Sequence, residues 1–131
     1  WYEVSTHVDG SATFYMDPDS VKERDGYISF WTLIDYVKDS SDNIRSQISR
    51  RHVDCEGGKL RNETEYSYDD NMGEGEVTTP EQVTISEWIK PPSGSNFEYY
   101  ILMGCGINKL SDEELQEIKI EWRAEMEGES N

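Results

Sequence analysis

The chain has 131 residues, a length that fits one domain, and carries 28 Asp plus Glu against 12 Lys plus Arg, a formal net charge of −16. That charge repels a phosphate backbone and an anionic lipid surface, which argues against nucleic-acid and membrane-surface functions. Hydrophobic residues are only 34% of the chain, but eight Tyr, four Trp and three Phe supply large apolar areas for one core over residues 1–131.

The front of the chain, residues 1–90, reads mostly as strands. Trp1–Val8 and Ser11–Asp17 are β-rich segments separated by Asp9-Gly10, a hairpin signal. Turns follow at Asp17-Pro18-Asp19 and Arg24-Asp25-Gly26. Tyr27–Val37 is the strongest strand. Ile28, Phe30, Thr32, Ile34 and Tyr36 share one face, and Trp31, Leu33 and Val37 the other, so a central strand covered on both sides is expected. Asp39–Asn43 is a polar loop. Ile44–Asp54 and Lys59–Tyr68 pair around Glu56-Gly57-Gly58, Asp69–Glu76 is a polar loop, and Val83–Ile89 is a last short strand stopped by Pro91-Pro92.

Residues 95–127 turn helical. Ser95 with Glu98, and Ser111 with Glu114, fit capping boxes, and Leu110 and Leu115 occupy staple positions. Leu115, Ile118, Trp122 and Met126 form a helical stripe that is expected to pack on the chain's own sheet rather than serve as a partner groove. No apolar run is long enough to span a bilayer. Trp1 opens directly into strand-like sequence, which fits a mature exported chain, with room for a lipid anchor on a removed N-terminus, and equally a cytosolic one.

Cys55 and Cys105 form no CxxC or zinc spacing. They read either as a structural disulfide or as two buried thiols. Both sit at element ends, where segments can approach, and this favours the bridge.

No chemistry-bearing motif stands out. G-x-S-x-G, a P-loop and H-E-x-x-H are absent, and His7 and His52 lie in strand-like contexts. No catalytic residue, metal or cofactor is assigned, and the expectation is a non-enzyme. Asp69, Asp70, Asn71, Glu74 and Glu76 offer hard oxygen ligands for calcium, but without EF-hand spacing; a solvated acidic loop is preferred. Arg45, Arg50, Arg51, Lys59 and Arg61 fall within seventeen positions with a net charge of +3, whereas Glu63–Glu81 holds seven acids and no cation. If the hairpin pairs, these cations make a basic ribbon. It reads as a docking surface for an acidic protein partner, or as an internal complement to the chain's own acids, the preferred reading.

An ordered set of short motifs resembles the surface-adhesin protein E family of bacterial exported proteins. These are Trp1 with Val4; Phe14-Tyr15-Met16-Asp17, Ser20-Val21 and Gly26; Phe30 to Tyr36; Asp54-Cys55 and Arg61; Asn71-Met72-Gly73-Glu74-Gly75; and Trp88, Pro91 and Cys105. The resemblance covers about residues 1–105 and stops short of the helix from Ser111. It implies an antiparallel sheet with a C-terminal helix, linked by a Cys55–Cys105 bridge; with the strand and helix signals above, the expected fold class is α+β, about six antiparallel strands with C-terminal helices packed on them. It further implies export to the periplasm or outer-membrane surface and, for the family's named member, adhesion to host extracellular proteins. The alternative is an envelope structural protein without a host ligand, homodimeric through a sheet edge or the last helix.

Overall fold

The computed structural model describes residues 1–7, 9–37, 44–78 and 85–129. Six antiparallel strands form one sheet: β1 (Tyr2–Thr6), β2 (Ala12–Met16), β3 (Lys22–Arg24), β4 (Tyr27–Tyr36), β5 (Ser46–Asp54) and β6 (Lys59–Tyr68). Their order is β1-β2-β4-β5-β6, and β3 pairs with the start of β4, beyond the end of β2. The helices are α1 (Asn96–Asn108) and α2 (Asp112–Glu129).

The alternation of Tyr27–Tyr36 places β4 in the middle, as its two apolar faces require. Ile28, Phe30, Thr32 and Ile34 are buried towards α1, while Leu33 is fully buried on the other side. The core joins Phe14, Met16, Ile28, Phe30, Val53 and Leu60 of the sheet to Tyr100, Ile101 and Ile107 of α1. Each such side chain contributes roughly 1.5–3 kcal/mol through burial. Tyr100 is fully buried and donates its hydroxyl to the carbonyls of Tyr15 (3.0 Å) and Leu33 (3.3 Å). Burial holds its phenol well above the ordinary tyrosine range. Gly104 faces Phe30 so closely that a Cβ there would enter the ring. A glycine lets α1 lie against the sheet at this point.

The helix starts follow their sequence signals. Ser95 Oγ accepts from the Glu98 amide (3.3 Å), although Glu98 Oε1 accepts from Gly94 N (3.0 Å) rather than closing the box on Ser95. At α2 the box is complete: Ser111 Oγ accepts from Glu114 N and Glu114 Oε1 from Ser111 N. Cys55, at the β5–β6 turn, is bonded to Cys105 of α1, with Cα atoms 5.9 Å apart. The bridge clamps the helix layer to the hairpin.

Three features depart from the sequence reading. Of Val83–Ile89, the first two residues lie outside the described residues, as does the loop Asp39–Asn43. The rest is no regular strand. Ile89 bridges Leu60 and Ser86 N bonds Asn62 O, but Ser86 Oγ takes the Asn62 amide in place of a backbone carbonyl. The stripe on α2 is only partly used for packing. Leu115 and Trp122 pack against the core, whereas Ile118 is 37% exposed. Finally, the register shifts between Arg50 and Arg51, leaving Glu63 as the extra residue of a bulge.

Candidate functional site

One face of the sheet lies under α1. The opposite face carries a run of aromatic and charged side chains from β3, β4, β5 and β6. Tyr27 stacks on His52 with centroids 4.4 Å apart. The Arg61 guanidinium lies 4.2 Å from the Trp88 ring and 5.4 Å from Tyr27. Arg50 sits 5.9 Å from the Trp31 ring and 3.6 Å from Glu63 Oε2. Tyr66 lies 6.5 Å from Trp31 on the same side. Apart from the buried His52, these side chains are half-buried, with their edges in solvent.

The hydrogen bonds fix the chemistry of this run. Arg61 Nε donates to His52 Nδ1 (3.0 Å), and a guanidinium only donates. Nδ1 therefore accepts, and the ring proton on Nε2 points at Glu63 Oε2, 2.6 Å away. The bond from His52, aided by the charge of Arg50, holds the Glu63 carboxyl below the ordinary carboxylate range.

Beside this run, Lys22 pairs with Ser29 and Arg24 with Tyr27 across β3–β4, which sets both cations on the same face. Asp17, Asp19, Ser20, Lys22, Arg24, Trp31 and Arg50 line a hollow of about 310 Å³. Asp19 is engaged by Lys119 of α2 (2.8 Å), and Asp17 accepts from the Asp19 amide. The hollow thus offers an indole and three cations beside the carboxylate of Asp17. Of these cations Arg50 lies over an aromatic ring, where a weakly hydrated guanidinium is suited to a carboxylate presented beside apolar groups.

The five cations of the sequence reading are not one ribbon. Arg50 and Arg61 lie on the open face. Arg51 is 4% exposed on the helix side. It donates from Nε to Thr32 Oγ1 (2.9 Å) and from Nη1 to Asn62 Oδ1 (2.6 Å), with its guanidinium 5.0 Å from Phe97 and 5.4 Å from Tyr100. Burial pushes its pKa down, opposed by Tyr100, Glu65 and Tyr36. Arg45 reaches Asn71 Oδ1 at the far end (3.4 Å), and Lys59 is exposed at the β5–β6 turn. Sequence reasoning missed Trp31, Trp88, Lys22 and Arg24 as neighbours of Arg50 and Arg61. The alternation of Lys22 and Arg24 about Glu23 was the available signal.

The acidic loop considered for calcium is a strap across β4 and β5. Asp35 Oδ1 accepts from Met72 N (2.8 Å) and from the Asn71 side chain (3.0 Å), and Ser46 Oγ accepts from Gly73 N (2.9 Å). Asp69 and Asp70 accept from the Glu76 and Asn71 amides. Gly73, at φ +73°, sits on Ile48 and Leu33 where a Cβ would collide, which is how the strap seals Leu33. Among the described residues, no group of three or more His, Cys, Asp or Glu side chains could hold a metal ion.

The ordered motifs, the bridge and this strap meet in one comparison: residues 1–106 match the family model of surface-adhesin protein E. The chain belongs to the surface-adhesin protein E family. Its fold is that of solved Haemophilus influenzae protein E. One crystal form shares 13% identity and a TM-score of 0.58, over 79% of this chain and 87% of that one. A second structure shares 12% identity and a TM-score of 0.58, over 83% and 89%. Protein E from a non-typeable strain gives 12% and 0.56, over 79% and 75%. No curated protein matches the chain by sequence. The family match ends one residue after Cys105, so α2 lies outside it. Within the family fold, no described helix is long and apolar enough to cross a membrane.

Proposed function

We propose that this member of the protein E family is an exported bacterial surface protein that binds a host extracellular protein through the open face of its sheet. It acts as a non-enzymatic binding module. The observation that carries the reading is the run Trp88–Arg61–Tyr27–His52–Glu63–Arg50–Trp31, half-exposed apart from the buried His52, which turns a sheet face into a preorganised array of cations held over aromatic rings. Arg and Trp are the residue types that dominate binding energy at protein interfaces. The partner's contact region is acidic with apolar side chains interspersed, because Arg50, Lys22 and Arg24 converge beside Trp31.

The test is binding of the oxidised chain to a panel of host matrix and serum glycoproteins, at physiological and at raised salt. Saturable binding that survives the salt, and that falls about tenfold or more in Arg50→Glu and Trp31→Ala, supports the reading. No binding across the panel, or binding indifferent to both substitutions, overturns it.

A further inference from the structure

On the other side of the molecule, Glu3, Val4, Met103, Ile118, Glu121, Trp122, Glu125 and Met126 line a groove of about 380 Å³ between β1, α1 and α2. Its apolar members Val4, Met103, Trp122 and Met126 are half-buried, and its acids Glu121 and Glu125 are exposed. Trp122 is fixed in place: its Nε1 donates to Glu3 O (2.7 Å) and its ring lies 5.1 Å from Tyr2. The helix separates its charges by face. Lys119 and Arg123, one turn apart, are both engaged, with Asp19 and with the Tyr2 hydroxyl. Glu121 and Glu125, also one turn apart, flank Ile118 on the groove side.

We propose that this groove docks a cationic amphipathic segment of a partner protein, its apolar side chains entering between Met103, Ile118 and Met126 and its Lys or Arg side chains meeting Glu121 and Glu125. Charge complementarity selects this occupant. A second copy of a chain of net charge −16 would bring the same acidic rim against the first. Apolar side chains in a groove edged by acids are a surface on which a basic amphipathic helix can lay its i, i+3, i+4 and i+7 anchors. The groove needs α2, which lies beyond the family match, so it is a feature of this chain's own C-terminal helix and independent of the open face.

The experiment titrates the full, oxidised chain into a labelled Lys/Leu amphipathic helical peptide, with a scrambled Lys/Leu peptide and a Glu/Leu counterpart as controls. Saturable binding of the amphipathic cationic peptide alone is expected. It should weaken about tenfold in Ile118→Ser and in the double variant Glu121→Lys, Glu125→Lys, with unchanged melting, and stay unchanged in Arg50→Glu. Equal binding of either control peptide, full binding by the groove variants, or no saturable binding overturns the proposal. Sedimentation of the free chain supplies the remaining arm: a dimer that Ile118→Ser dissolves would make a second copy the occupant and overturn the proposal as well.

Discussion

Arg50 and Arg51 are neighbours in sequence and end in opposite environments. Arg50 lies across the Trp31 ring with its charge shared between solvent and Glu63. Arg51 is enclosed under α1, its charge spread over Thr32, Asn62 and the rings of Phe97 and Tyr100. No carboxylate is bonded to it among the described contacts, so the rings and two neutral oxygens carry most of what replaces its hydration. The same residue type therefore serves stability on one face and is available for recognition on the other. Which role it takes is set by the side of the sheet it occupies, a choice the alternation of strand side chains makes one residue at a time.

Substitutions can break this contrast in order of size. Removing the bridge with Cys55→Ala and Cys105→Ala frees the helix layer from the hairpin and should cost about 4 kcal/mol in denaturant unfolding, as a loop of this length implies on the chain-entropy model. Arg51→Ala empties a buried site and strands the Asn62 and Thr32 oxygens. It should cost about 3 kcal/mol, with much of the loss recovered by Arg51→Met, which refills the volume against Phe97 and Tyr100. A loss as small as that of a surface substitution would show that the guanidinium is not needed under α1. Arg50→Ala, by contrast, should shift stability by only about 0.5 kcal/mol, because its half-buried pair with Glu63, 3.6 Å apart at the solvent edge, is largely screened by water. The smallest effect is a change of slope. The folded-state pKa of Glu63 is depressed, so its contribution is fully present above the unfolded carboxylate value and is lost as the pH falls below it. Glu63→Gln should flatten the stability curve in that acidic window and leave it parallel to wild type at neutral pH.

Strands and helix starts were legible because they follow from local physics. The alternation over Tyr27–Tyr36 needs only a period of two to place β4 between covered faces, and Ser111 with Glu114 needs only one turn of helix to close its box. The cation set was legible as a charge excess but not as a site. Its division follows from strand alternation, which parts Arg50 from Arg51, and from the register that sets Arg61 opposite His52, which a sequence pattern does not carry. Trp88 illustrates the same limit. It comes to Arg61 from a segment held to β6 by a few bonds around Leu60 and Asn62, which no periodicity announces. The α2 stripe reads as a core face by spacing alone. Only the placement of Val4 and Met103 shows that Ile118 and Met126 border a groove instead.

Seen as covalent topology, the Cys55–Cys105 bond turns the chain into a closed ring with two tails. The ring holds β6, the strap, Trp88 and most of α1; the tails hold β1 to β5 on one side and α2 on the other. The side-chain bonds that hold α2 in place, from Lys119, Trp122 and Arg123, run to Asp19, Glu3 and Tyr2, all in the opposite tail. Tail grips tail while the ring is locked by its own sulfur bond. A protease cut at Lys109, between the helices, would thus leave α2 docked on β1 by non-covalent contacts, while the remaining chain kept its ring until a reductant opened it.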